Sequence, residues 1–197
     1  DGSMTADTGL WETDEMAFPA VAAAVRPRTV TFLNLFRDQL DRYGETEKIR
    51  ACWQAVLPSL GRPHLVLNAD DPSVASLGDG YDGTVTYFGL EDAACRLTRP
   101  VHAIDTRTCR RCGAPLAFAC HYLGHLGDYR CTQCDNQRPR PAVRATELAL
   151  SPLQSVFTLH LPGSTPVRVT LRLGGIYNVY NALATAATAH AAGMPVP

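Results

Sequence analysis

Apolar residues in this chain fall in short blocks separated by helical stretches, and this alternation predicts βα units packed on a largely parallel sheet. Thr29 to Leu33 (TVTFL), His64 to Leu67 and Thr84 to Phe88 (TVTYF) read as strands, and an earlier apolar run around Leu10-Trp11 reads as another, followed by acids at Glu12, Asp14 and Glu15. Between them lie two helical stretches, Met16 to Val25, closed by Arg26-Pro27, and Thr46 to Leu57, ended by Pro58. After Leu67 comes Asn68-Ala-Asp-Asp-Pro72, where an aspartate can cap a short helix that has Pro72 in its first turn and stops at Gly78. Further on, Val156 to Leu161 and Val167 to Leu173 predict a hairpin joined through Pro162-Gly-Ser-Thr-Pro166. Gly174-Gly175 then opens an Ala-rich helix, Tyr177 to Ala192, which Gly193 and Pro195 terminate.

From about Asp105 to Arg144 this pattern breaks. Cys109-Arg-Arg-Cys112 and Cys131-Thr-Gln-Cys134 form two C-x2-C knuckles separated by eighteen residues, the spacing of a four-thiolate zinc ribbon. Each knuckle sets two sulfurs on one turn, and the intervening residues suffice for a hairpin that brings the pairs together. Gly113 follows the first knuckle, where a residue with φ > 0 is wanted. Four thiolates leave no position for water or substrate, so the expected Zn2+ is structural. A pair of disulfides is the alternative, but the sequence has no secretory signal and a reducing compartment is expected. Cys52, Cys95 and Cys120 lack partners at ligand spacing and are expected as small buried hydrophobes. His121 and His125 are surplus to the four thiolates and are expected at the surface.

Composition narrows the choice. With 197 residues, 46% hydrophobic, the chain can bury one sizeable core, so the economical organisation is one main unit with an inserted ribbon. A net charge of −1 and a pI near 6.6 argue against a dedicated nucleic-acid binder. No run of eighteen apolar residues exists to span a membrane. Seventeen of the eighteen basic residues are arginine, Lys48 is the one lysine, and no glycine precedes it, so a G-x-x-x-x-G-K-[ST] phosphate loop is excluded within this sequence.

Three segments outside the ribbon resemble, in order and spacing, the central domain of the Mur ligases. They are Asn34 to Glu45 (NLFRDQLDRYGE), Leu67-Asn-Ala-Asp-Asp-Pro72 and Gly175 to Ala184 (GIYNVYNALA). The ribbon between the second and third is similar to that of the MurT-type subunits of lipid II isoglutaminyl synthases, and this narrower resemblance covers nearly the whole chain from about Leu10. It implies an α/β central ATP-binding domain over residues 1–197, a largely parallel sheet flanked by helices, with a zinc ribbon inserted at 105–144. It further implies a cytoplasmic enzyme subunit that phosphorylates the D-glutamate α-carboxylate of lipid II with ATP. Ammonia from a GatD-like glutaminase subunit then displaces phosphate and leaves D-isoglutamine. By the same resemblance Glu12, placed at a strand end, is the Mg2+ ligand for Mg-ATP, Asn178 contacts adenine, and Asn181 supports it. On the residues alone, Glu12, Asp14 and Glu15 also read as helix-start charges and Asn178 as a helix cap. Asp70 and Asp71 read as turn and cap residues, and Asp38 and Asp41 as loop-structuring or active-site groups.

Departures from the wider Mur pattern bear on the site. Asp38-Gln39 stands where many Mur ligases have Asp-His, and Trp53 stands where they carry a carbamylated lysine, with Lys48 too early to replace it. MurT-type subunits generally lack that lysine too. Their N-terminal G-T-N-G-K-T segment and their C-terminal domain find no counterpart here, so the sequence reads as a central-domain fragment, inactive by itself.

A second reading makes the chain a zinc-ribbon interaction module on an α/β scaffold. Arg107, Arg110, Arg111, Arg130, Arg138, Arg140 and Arg144 against Asp105, Asp128 and Asp135 give a local excess of four positive charges for nucleic acid or another anion. Phe118, Tyr122 and Tyr129 are few for base stacking. An amino-acid-adding Mur ligase is a third reading, weakened by the ribbon and by Trp53.

Overall fold

A computed structural model describes residues 8–36, 46–97 and 106–194. Strands β1 (Thr29–Phe32), β2 (His64–Asn68) and β3 (Val85–Leu90) lie side by side and parallel. Beyond β3 the sheet continues not with the next strands in sequence, β4 (Leu116–Leu123) and β5 (Leu126–Cys131), but with β6 (Val143–Leu150), again parallel. β7 (Ser155–His160) and β8 (Val167–Leu171) then extend it as an antiparallel meander.

The sheet is covered on both faces, and β2 shows why its sequence is a continuous apolar run. Leu65, Val66 and Leu67 are all fully buried. Leu65 and Leu67 pack with Phe18 and Ala22 of α1 (Phe18–Val25) and Ile49 and Trp53 of α2 (Thr46–Val56). Val66, pointing the other way, packs with Val179, Tyr180 and Leu183 of α4 (Ile176–Ala191), which lies across β1, β2, β3, β6 and β7. Alternating Cβ directions with helices on both sides require apolar residues at every position. On α4 the buried positions Val179, Tyr180, Leu183, Ala184 and Ala187 form one helical stripe. Trp53 stacks obliquely on Phe32 at 4.7 Å and donates its Nε1–H to Glu15 O at 2.8 Å, so it is a core and tethering residue.

Parallel neighbours need a crossover connection, usually a helix. Between β3 and β6 the described part of that connection is the antiparallel β4–β5 hairpin, carrying the four knuckle cysteines near its open end. Cys120, Tyr122 and Leu126 of the hairpin join the core cluster on the α4 side. Among the described residues no helix is long and apolar enough to cross a membrane.

Several elements differ from expectation. No strand forms around Leu10-Trp11, where Leu10 is 91% and Trp11 52% exposed, because two apolar residues among acids offer no alternating face to bury. The second helix ends just before Pro58 as expected, but the chain then tightens into a 3-10 turn, Leu57–Leu60, whose first turn tolerates a residue without N–H. Val143–Leu150 carries no expected element, and its start falls in the expected ribbon range. Its Ala, Glu and Leu content masks a strand in which Val143 and Ala145 are fully buried and a bulge after Thr146 puts Glu147 at φ 54°. Of the three lone cysteines, Cys120 is buried and Cys52 and Cys95 are half-buried. Leu65→Ala should lower unfolding free energy by about 2–5 kcal/mol in a denaturant titration, as expected for a fully packed leucine, whereas Leu153→Ala, at a residue 83% exposed, should stay within about 0.5 kcal/mol of the parent.

Candidate functional site

At the carboxyl edge of the parallel strands, where open α/β sheets hold their ligands, the chain leaves β2 through Asn68-Ala69-Asp70-Asp71. Asn68 Oδ1 accepts from Asp70 N at 2.9 Å and sets the turn, while the buried Nδ2 of Asn68 has no partner among the described residues. Asp71 caps α3 (Pro72–Ala75) as expected, its Oδ1 accepting from Ser73 N at 2.8 Å and Val74 N at 3.3 Å. Its second oxygen does more than cap. It accepts Leu35 N at 2.7 Å from the segment after β1, and it meets His125 Nε2 at 3.3 Å, from the β4–β5 turn. Burial pushes the Asp71 carboxyl up, but the His125 imidazole and the hydrogen bonds together hold it below the ordinary carboxylate range.

Asp70 stands in the turn as the sequence reading has it, but its side chain does much more. It is fully buried, and Arg138 Nε donates to its Oδ1 at 2.5 Å while Leu90 N and Tyr180 Oη donate to its Oδ2 at 2.8 Å each. Its backbone carbonyl accepts Gly127 N of β5 at 2.9 Å. Arg138 also pairs with Glu91 at 2.9 Å and donates to Leu90 O at 2.7 Å, so it is an interior residue and not part of a basic face. Burial pushes the Asp70 carboxyl up against the pull of Arg138 and the other donors, and it pushes the Tyr180 phenol well up, keeping that group a proton donor. Gly89 makes room for the cluster: a Cβ there would lie 2.8 Å and 3.0 Å from the Asp70 oxygens and 3.1 Å from Arg138 Nη2.

The four knuckle sulfurs of Cys109, Cys112, Cys131 and Cys134 lie within 4.8 Å of one another and could hold a metal ion. Cys109 Sγ and Cys134 Sγ are 3.6 Å apart and Cys112 Sγ and Cys131 Sγ 3.4 Å, close to the roughly 3.8 Å edge of a tetrahedron with Zn–S bonds of about 2.3 Å. Backbone N–H groups of Arg111, Gln133 and Cys134 and the Asn136 carboxamide donate to the Cys109 and Cys131 sulfurs at 3.2–3.4 Å, the outer-shell pattern that stabilises thiolates. Gly113 has φ 77°, as its place after the knuckle requires. The two arginines inside the first knuckle dock it on the core. Arg110 pairs with Glu47 of α2 at 2.7 Å and reaches Ser73 Oγ at 3.1 Å, and Arg111 forks onto Asp79 at 2.6 and 2.9 Å. With Arg138, three of the seven arginines expected on a basic face are engaged within the fold.

A cavity of about 320 Å³ is lined by Asn34, Phe36, Leu123, Tyr177 and Tyr180, none of them a residue predicted for the site. It joins the segment after β1, the first turns of α4 and the tip of the β4–β5 hairpin. Asn178 starts α4 beside the two tyrosines and donates its Nδ2 to Gly174 O at 2.7 Å; Asn181 is exposed on the next turn, four residues from Tyr177. Glu12 lies exposed in irregular chain before α1 rather than at a strand end. Asp38, Gln39 and Asp41 lie outside the described residues. His121 and His125 are not at the surface: both are buried, His121 stacked on Phe118 at 4.4 Å and His125 against Phe36 at 4.6 Å. Nothing in their spacing signals this, because their contacts are with segments remote in sequence. Gly89→Ala should cost about 1–3 kcal/mol by overpacking, and Arg138→Met, which leaves Asp70 buried without its cation, about 3–5 kcal/mol, both read from denaturant midpoints.

No family profile matches the chain. It is 31% identical over 173 residues to the MurT subunit of a lipid II isoglutaminyl synthase (glutamine-hydrolyzing) from Staphylococcus aureus (strain COL), covering 88% of this chain and 37% of that protein. The MurT subunit of Streptococcus pneumoniae (strain ATCC BAA-255 / R6) is 28% identical over 188 residues, covering 92% and 39%. The chain thus spans less than two-fifths of the length of these curated relatives. Among solved structures, a pseudomurein peptide ligase type C from Methanothermus fervidus superposes with a TM-score of 0.73 at 33% identity, over 90% of this chain and 33% of that one. MurF from Acinetobacter baumannii superposes with a TM-score of 0.60 at 19% identity, over 91% and 29%, a likeness of fold. By sequence the chain is MurT-like over 88–92% of its length, and its fold is of the Mur ligase type.

Proposed function

We propose that this chain is the nucleotide-binding central part, residues 1–197 with its ribbon inserted at about 105–144, of a cytoplasmic ATP-dependent ligase subunit that amidates the D-glutamate α-carboxylate of lipid II. The observation that carries this reading is the 31% identity to a lipid II isoglutaminyl synthase subunit across 88% of the chain, ribbon included. The cavity at the carboxyl edge of the parallel strands supports it. Phe36, Tyr177 and Tyr180 give aromatic surface for a purine ring, and Asn34 adds a polar edge. Asn178 commits its amino group to Gly174 O, which leaves its carbonyl oxygen as the group that would accept from an adenine amino group. Asn181 supports it from the next turn.

In this reaction the carboxylate oxygen attacks the γ-phosphorus of ATP and ADP leaves. Ammonia, supplied by a GatD-like glutaminase partner, attacks the acyl carbon of the resulting acyl phosphate; phosphate leaves, a proton is lost, and the amide remains. Glu12 would hold Mg2+ against the phosphates, a role its exposed carboxylate leaves open. Cys109, Cys112, Cys131 and Cys134 of the ribbon would hold Zn2+ in a structural role, since four thiolates would leave no open position for chemistry.

Metal analysis of the purified chain should give about one zinc, and Cys112→Ser should lose it and loosen the β4–β5 hairpin while the main sheet, with its own apolar core, persists. Placed in a complete subunit with a glutaminase partner, the sequence should support lipid II amidation. There, Glu12→Ala should lower turnover and Asn178→Ala should raise the KM for ATP more than it lowers kcat. The 197-residue chain alone should not amidate lipid II, and amidation at the rate of the complete subunit would overturn these roles.

A further inference from the structure

The segments that enclose the cavity come from three remote parts of the chain, and all three are tied to the same two carboxylates. Asn34 and Phe36 flank Leu35, whose N–H is held by Asp71 Oδ2 at 2.7 Å. Tyr180 donates to Asp70 Oδ2 at 2.8 Å and brings the first turns of α4 with it. The hairpin tip is fixed on both sides: Gly127 N donates to Asp70 O at 2.9 Å, and His125 sits between Asp71 Oδ2 at 3.3 Å and the Phe36 ring at 4.6 Å. Leu123, the last residue of β4, is thereby presented to the cavity as one of its five lining residues, although it belongs to the metal-binding insertion.

We propose that the ribbon is a working part of the ligand cavity: Leu123 supplies an apolar wall for the base of the bound nucleotide, and the fold of the hairpin sets where that wall stands. The proposal rests on the reading of this cavity as the base site. Four of the five lining residues are aromatic or aliphatic, which suits a flat ring held by its faces, and Asn34 supplies the one carboxamide. Leu123 is half-buried: one side packs against the edge of the α4-side core and the other lines the cavity. Removing it opens one side of the cavity, and replacing it with a long cation fills the cavity.

The test uses the purified, metal-loaded chain and adenosine as the probe, followed by saturation-transfer NMR and titration of the Tyr177 and Phe36 ring signals. The parent chain should bind adenosine at these rings. Leu123→Ala should weaken that binding several-fold and Leu123→Arg at least tenfold, while Leu153→Arg, on an exposed loop, changes it by less than twofold. Zinc content should be the same in all four proteins and each should keep a cooperative melting transition, lowered at most by the loss of the contact that Leu123 makes with the core edge, which separates a lost wall from a lost fold. If Leu123→Arg binds adenosine as the parent does, with the same ring shifts, the ribbon is no part of the base site and the proposal fails while the nucleotide reading stands. If the parent shows no adenosine contact at Tyr177 or Phe36, the base-site reading itself falls, and the proposal with it.

Discussion

A carboxylate with no exposure to solvent, in the turn just after β2, is the constraint around which this fold is arranged. Ionised and unpaired, Asp70 would carry a desolvation cost of several kcal/mol, comparable to the whole stability of a small domain. The structure answers with donors from three places: Arg138 after the hairpin, Leu90 at the end of β3 and Tyr180 on α4. Each donor lies on a segment that the chain must bring to the sheet edge. Satisfying one buried carboxylate therefore fixes the segment after the hairpin, the helix and β3 relative to β2, and a separate bond from Gly127 N–H to the Asp70 backbone carbonyl fastens the hairpin itself. Gly89 completes the arrangement, because any side chain there would meet the carboxylate it surrounds.

The neighbouring carboxylate does a different job with the same economy of position. Asp71 divides its two oxygens between a local task, capping α3, and a remote one, holding Leu35 N–H and His125. The cap alone is worth about 1 kcal/mol, and many residues could supply it. The remote bonds need an aspartate of this reach at this point. Two adjacent acids thus organise all three sides of the cavity, and the ribbon is attached to both of them.

Much of this was legible in the sequence where the signal is local. Alternating apolar residues mark β1 and β3, a continuous apolar run marks β2, the Ala-rich stripe marks α4, and cysteine spacing marks the cluster whose sulfurs the structure brings within 4.8 Å. Asp71 with Pro72 announces its own cap. What failed to show is long-range. Arg138, His121 and His125 look like surface residues because their partners lie far away in sequence, and Arg110 and Arg111 look like a basic patch because Glu47 and Asp79 are equally remote. β6 was hidden by helix-favouring residues that the neighbouring strands overrule.

The connection from β3 to β6 gives the ribbon its meaning in the fold. An ordinary βα crossover would lay a helix against the sheet and fasten it by its apolar stripe. Here a hairpin takes part in that crossover, and a hairpin of two strands is marginal in water without further support. The fold supplies the support at both ends. The open end carries the cysteine cluster, docked by Arg110 on Glu47 and Ser73 and by Arg111 on Asp79, and the closed end is bound by Gly127 and His125 to the two aspartates. Pairs as exposed as Arg111 with Asp79 contribute little each, whereas at the closed end His125 and Asp71 are both fully buried, and losing their contact would take a partner from a buried carboxylate. The closed end, which faces the cavity through Leu123, is therefore fastened to the sheet edge by buried contacts, so a change there acts directly on the cavity wall.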